Sequence, residues 1–110
     1  MSKEIIIFGS GKIGYEALQF FRGENIFCFC DNNLQLSGTE KYGKTVISFD
    51  ELKRKEAIVI IAVAGSASYA IAEQCEENKV SDYIIYTLLR EAHPEWNEGK
   101  MLDYIDNIEN

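Results

Sequence analysis

The chain predicts an open α/β sandwich with a mostly parallel sheet. Three observations carry that expectation. Short apolar runs such as Glu4-Ile-Ile-Ile-Phe-Gly9 do not alternate with polar residues, the mark of a strand buried on both faces. Stretches with apolar residues at helical spacing separate these runs. Strand, glycine turn, helix and second strand then follow one another in under thirty residues, a unit that closes with a right-handed crossover and parallel strands.

The first strand leads into Gly9-Ser10-Gly11-Lys12-Ile13-Gly14. Ile13, Ala17, Leu18, Phe20 and Phe21 mark one face of a helix from Lys12 to Phe21, and Arg22-Gly23 is a stop signal. Ile26 to Cys30 reads as the second strand, ending at Asp31. Asn32 to Lys44 is polar and reads as a loop, and Thr45-Val46-Ile47 as a very short strand. Ser48-Phe-Asp-Glu51 is a capping box and predicts a helix from Phe49 to about Lys55. Ala57 to Ala64 is a further buried strand, Ser66 a candidate N-cap, and Ala67 to about Asn78 a helix. Asp82 to Leu88 reads as the last strand, and His93-Pro94 breaks the pattern. Met101, Leu102, Ile105 and Ile108 then predict a last amphipathic helix over 98–108. The expected sheet has four to five strands in the order 3-2-1-4-5. Residues 1–90 form the domain, and 91–110 pack on it or on a partner, with Trp96 able to strengthen such a contact.

Composition narrows the function classes. At 110 residues the chain has room for one ordinary domain, so a dehydrogenase's substrate domain is missing from it. The net charge is −7, from 11 basic and 18 acidic residues, which disfavours nucleic acid and anionic membrane surfaces as partners. No apolar run reaches the ~18–20 residues of a membrane span, and no secretory signal is visible. Three cysteines with Cys28-x-Cys30 spacing suit neither zinc nor a disulfide framework and suggest reduced thiols in a cytoplasmic protein.

The chemistry-bearing constellation is Gly9-x-Gly11-x-x-Gly14 between a strand and a helix, with Asp31 closing the next strand 22 residues beyond Gly9. This is close to the ~20-residue spacing of a dinucleotide fingerprint. Gly9 permits the sharp turn, Gly11 lets a pyrophosphate approach the backbone, and Gly14 lets the helix lie on the sheet. The helix start offers free N–H groups and a positive dipole end. Asp31 suits a ribose diol and repels a 2′-phosphate, which favours NAD over NADP; Asp-Asn-Asn is equally good turn chemistry. Lys12 is either a phosphate contact or a solvated lysine. Ala64, Gly65 and Ser66 line the far side of the pocket or form a tight turn plus N-cap. Tyr69, one turn into that helix, either covers a base or nicotinamide or, as the pattern favours, is a partly exposed surface residue.

Other catalytic patterns fail. A P-loop needs Gly and Ser or Thr where Ile6 and Ile13 stand, and no Tyr has Lys four residues on. Cys28 and Cys30 lie on a buried strand, Cys75 on a helix face, and His93 in a loop. No catalytic or metal-binding set assembles from these residues.

The order Ile-Phe-Gly-Ser-Gly-Lys-Ile-Gly, Cys-Asp-Asn-Asn (30–33), Tyr-Gly-Lys-Thr-Val-Ile-Ser-Phe-Asp-Glu-Leu (42–52) and Ile-Val-Ile-Ile-Ala (58–62) resembles bacterial Rossmann-like domains. These occur beside enzymes of nucleotide-sugar and surface-polysaccharide metabolism, as in the N-terminal domains of UDP-sugar N-acetyltransferases. The resemblance spans about Lys3 to Tyr86 and implies a three-layer Rossmann-like module that holds NAD or a UDP-sugar. It implies that Gly9, Ser10, Gly11 and Gly14 face phosphates and Asp31 a ribose. Asn32 or Asn33 would face the base or sugar. The β-helix that carries the catalytic His of the acetyltransferases has no counterpart here. The reading is therefore a nucleotide-binding module without its own catalytic residues. The alternatives are a part of an NAD-dependent oxidoreductase or sugar-modifying enzyme, and a ligand-free interaction domain. A homodimer or a fusion to a sugar-modifying domain remains open.

Overall fold

The computed structural model describes residues 3–92. Five parallel strands and one antiparallel edge strand form a single twisted layer with helices on both faces. Strand β1 (Glu4–Phe8) leads to helix α1 (Lys12–Phe20), and β2 (Ile26–Cys30) follows. A single 3-10 turn, Leu34–Leu36, precedes the β-hairpin of β3 (Glu40–Lys41) and β4 (Lys44–Ile47). Then come α2 (Phe49–Leu52), β5 (Ala57–Ile61), α3 (Ala67–Glu77), β6 (Tyr83–Ile85) and α4 (Tyr86–Ala92). The spatial order is β3-β4-β2-β1-β5-β6.

This is the expected order with one strand added at the edge. The polar stretch 32–44, expected as a loop, holds the 3-10 turn and β3, which pairs antiparallel with β4. Tyr42 (φ 51°) and Gly43 (φ 82°) make that tight turn, a conformation invisible to hydrophobic patterning. The expected strand 82–88 is corrected: it stops at Ile85, and Tyr86 opens α4. An apolar stretch of strand length is ambiguous in period, and here tertiary packing of Tyr86 decides it. The expected helix 98–108 lies outside the described residues.

Each face of the sheet carries its own core. Ile6, Phe8, Cys28, Cys30, Val59 and Ile61 pack under α2 and α3 with Leu52 and Ala72. Ile7, Phe29, Val46 and Ile60 pack under α1 and α4 with Ala17, Phe21 and Tyr86. Alternation between the two covered faces along β1 and β5 explains their unbroken apolar runs, while the start of β2 is irregular where its register with β1 shifts between Ile5 and Ile6. Ser48 caps α2 as expected, its hydroxyl accepting from the Glu51 N–H at 3.2 Å. Ser66 precedes α3 but makes no side-chain cap. No described helix is long and apolar enough to cross a membrane.

Candidate functional site

The sheet order reverses between β1 and β5, with β2 and β4 on one side and β6 on the other. Loops leaving the carboxyl ends of β1 and β5 diverge there and leave a cleft, the usual ligand position in open α/β sheets. It measures about 290 Å³ and is lined by Gly9, Ser10, Gly11, Lys12, Ile13, Asp31, Ala62, Val63 and Ala64. Larger hollows of about 450 and 480 Å³ lie over the opposite end of the sheet, around Lys3 and Ile58. Lys3, Glu4, Glu24, Asn25 and Asp82 lie around them, but at the amino ends of the strands, away from the switch point where open α/β sheets take their ligands.

The three glycines of the turn have different physical reasons. Gly9 adopts φ +118°, and a Cβ there would lie 2.4 Å from the Ala62 carbonyl oxygen. A Cβ on Gly14 would lie 2.0 Å from the Gly9 carbonyl oxygen, so α1 can approach the β1 end only with hydrogen at this position. Gly11 has φ −89°, where any residue is comfortable, and a Cβ there would meet nothing within 4 Å. Neither backbone geometry nor internal packing asks for glycine at 11. Its bare side faces the cleft at the N-cap of α1, which has no side-chain cap, so the first N–H groups of that helix lack one partner type that usually satisfies them.

Asp31 joins the cleft from the end of β2. Its Oδ2 accepts from the Ser10 hydroxyl at 2.7 Å and the Ser10 N–H at 3.1 Å, and its Oδ1 accepts from the Asn33 N–H at 2.9 Å. Burial pulls the carboxyl's pKa up, but the Ser10 hydroxyl, the Asn33 and Ser10 N–H groups and the charge of Lys41 outweigh it and hold it below the usual range. Asp31 is therefore an ionised acceptor at neutral pH, and Oδ1, with one hydrogen bond, keeps lone-pair capacity toward a ligand hydroxyl.

Gly9, Ser10, Gly11, Lys12, Ile13, Asp31 and Ala64 thus come together at one cleft. Gly14 is buried beneath it. Ser10 is also buried, its hydroxyl directed to Asp31. The Asn32 amide pairs reciprocally with that of Gln74 on α3, at 2.8 and 3.0 Å. Asn33 caps the Leu34–Leu36 turn by accepting from the Gln35 N–H at 3.1 Å. Gly65 lies in a separate hollow of about 80 Å³ with Ser68, Tyr69 and Thr87, and Ser66 is exposed outside the cleft. Ala62 and Val63 entered the site without being anticipated. Their only signal was their place at the end of a strand beside the switch point.

All three thiols are buried. Burial pushes Cys28 and Cys75 up to about 11 and Cys30 higher still. No group of three or more His, Cys, Asp or Glu among the described residues is placed to hold a metal ion.

Sheet order, covered faces, glycine turn and switch-point cleft define this chain as a Rossmann-like α/β domain. No family model matches the chain, and no curated protein matches it significantly. The solved structures that share the fold include two of similar score. One is UDP-D-quinovosamine 4-dehydrogenase from Vibrio fischeri, with a TM-score of 0.56 and 18% identity over 71% of this chain and 73% of that one. The other is RSP, solved in complex with β-NAD+ and operator DNA, with a TM-score of 0.55 and 17% identity over 86% of this chain and 58% of that one. Identities this low carry the fold and nothing finer.

Proposed function

We propose that the chain is a nucleotide-binding module that holds NAD at the β1–α1 cleft, without catalytic residues of its own. The observation that carries this reading is Gly11. A glycine required neither by its φ nor by its neighbours stands where an α-helix begins, facing a cleft that ends at an ionised carboxylate. That arrangement suits a pyrophosphate on the helix N–H groups and a ribose hydroxyl on Asp31. NAD is the group the residues fit: bound there, it would supply a hydride-carrying nicotinamide, while the chain itself binds, orients and screens. Lys12, exposed at the cleft mouth, adds a cation beside the phosphate position. The cleft volume is at the low end for small-molecule sites, enough for part of a dinucleotide, with the remainder running over its rim.

A second reading is a UDP-sugar as the ligand, the chain acting as one part of a sugar-modifying enzyme. Its support is the order of motifs from about Lys3 to Tyr86, which resembles that of domains found beside nucleotide-sugar enzymes.

Thermal-shift measurements with NAD, NADP, UDP and UDP-sugars separate the readings. A ligand at 100 times its dissociation constant adds about 2.7 kcal/mol. NAD is expected to raise the melting temperature and NADP to do so far less, because a 2′-phosphate would meet the Asp31 carboxylate. Asp31→Asn should narrow that gap. Stabilisation by UDP-sugars in place of NAD would transfer the site to the second reading, and silence from every ligand would leave a ligand-free interaction domain.

A further inference from the structure

The hairpin of β3 and β4 breaks two local rules, and such departures concentrate at functional sites. Tyr42 (φ 51°) and Gly43 (φ 82°) are its turn residues, and a bulky ring is unfavourable at a φ where Asn or Asp is the easy choice. Directly across the hairpin Lys41 pairs in register with Lys44, and like charges so placed repel. Neither lysine has a salt bridge to a carboxylate among the described residues. What the turn gains is a ring in a particular place. The Tyr42 ring centre lies 4.6 Å from that of Tyr15 and 6.0 Å from that of the buried Phe29. Tyr15 and Tyr42 nevertheless stay 43% and 46% exposed. Tyr15 stands one turn into α1, its N–H donating to the Gly11 carbonyl at 3.0 Å. Helical side chains lean toward the helix start, so its ring covers the first turn of α1, beside the cleft. The Lys41 ammonium lies 5.9 Å from the Tyr42 ring centre, and its charge is felt at Asp31.

We propose that this ring pair is a base platform: the adenine of NAD lies on the exposed side of Tyr15 and Tyr42, with its ribose at Asp31 and the Lys41 ammonium as a donor at its edge. The proposal rests on the reading that NAD occupies the cleft, and it says where the part that the cleft does not hold runs. NAD and NADP differ at the adenosine ribose, so a carboxylate that tells them apart sits at that sugar. Outward from Asp31, at the end of β2, the neighbouring strand is β4 and then β3. A base on that ribose, pointing away from a pyrophosphate at the start of α1, therefore travels toward the hairpin. Stacking asks only for a ring face, and Lys41 can donate to a ring nitrogen with no ion-paired acid competing for it. Tyr69 is the competing aromatic. It is 58% exposed on α3, which follows β5 on the other side of the switch point, and is placed for the opposite end of a dinucleotide.

Calorimetric titration of the full chain with NAD and with AMP tests this. Tyr42→Asn suits the turn and Tyr15→Ala an exposed helix position, so both keep the fold, which their melting temperatures without ligand verify. Each is expected to weaken NAD and AMP by the same factor, about tenfold, in the range of one lost base stack. Tyr42→Phe keeps the ring and should keep full affinity, and Tyr69→Ala should leave both ligands unchanged. If the natural chain binds NAD and neither Tyr15→Ala nor Tyr42→Asn weakens it, the platform is overturned and NAD stays at the cleft. A loss in Tyr42→Phe as large as in Tyr42→Asn also overturns it, since a stack needs only the ring. So does a loss in Tyr69→Ala in place of the other two, which would move the base to the α3 side. A natural chain that binds no NAD brings down the cleft reading, and the platform with it.

Discussion

A methyl group on Gly14 would collide with the Gly9 carbonyl, whereas one on Gly11 would meet only the open cleft. Gly14→Ala should therefore cost about 1–3 kcal/mol or more through backbone displacement. Gly11→Ala should cost under about 1 kcal/mol, as the loss of a glycine N-cap does, yet abolish the thermal shift given by NAD. Urea unfolding with and without NAD checks both, and a Gly11→Ala variant that keeps its full NAD shift would remove the main support for the site. Asp31 sets a pH dependence. Its folded pKa is depressed, so its contribution is complete above the unfolded value of about 4 and is lost as pH falls through the lower folded value. The urea midpoint should decline below about pH 4 more steeply in the natural chain than in Asp31→Asn. Parallel curves for the two proteins would show that the Ser10 contacts stabilise nothing.

Among the elements, α1 and α4 are joined by a polar clasp that no sequence pattern announced. Glu16 accepts from the Tyr86 hydroxyl at 2.5 Å and from Arg90 at 2.6 Å, and Arg90 also lies 5.6 Å from the Tyr86 ring centre. Burial acts to raise the Glu16 pKa, but these two donors and the Arg90 charge overcome it and lower it. Burial, followed by the Glu16 contact, raises that of the Tyr86 phenol. Tyr86→Phe is expected to cost about 1 kcal/mol, the net worth of one such hydrogen bond. Arg90 is part of the same network, so Tyr86→Phe and Arg90→Met should be non-additive by at least about 0.5 kcal/mol in a denaturant cycle. Strict additivity would mean that packing of the Tyr86 ring, not its hydroxyl, holds α4 in place. The Asn32–Gln74 amide pair has a comparable position on the opposite face, tying the β2 end to α3 beside the cleft.

Over the whole molecule, a charge of −7 opposes binding to polyanions, while the partial charge at one helix start acts only within the first turn. At about 0.15 M salt the Debye length is ~8 Å, so a phosphate in the cleft senses the local N–H groups and Lys12 more than the distant acids. A small anionic ligand is thus compatible with the acidic body, whereas duplex DNA, which contacts a broad surface, is expected to be disfavoured. RSP was solved with operator DNA; this chain is expected to leave a random duplex unretarded in a gel-shift assay at ~0.15 M salt, where nonspecific DNA binders hold at micromolar concentrations. Retardation of that duplex would mean that a local basic patch outweighs the net charge.

The sequence by itself determined the fold class, the strand order and the glycine turn. Each rests on local signals: doubly buried runs, helical periodicity, and the spacing from Gly9 to Asp31. It did not reveal β3, because a two-residue strand depends on the left-handed Tyr42 and on its β4 partner rather than on its own composition. Nor did it divide β6 from α4, since Ile84 through Leu88 fits either period until Tyr86 finds its place under α1. Only the tertiary structure decided which side chains of the Asp-Asn-Asn stretch reach the cleft. Asp31 does, while Asn32 and Asn33 are taken up by Gln74 and Gln35. The physical reason is that partners absent from the local pattern choose the conformation: Ser10, Gln74 and Glu16 lie tens of positions from Asp31, Asn32 and Tyr86, while β3 exists only through the left-handed turn at Tyr42 that brings it onto β4.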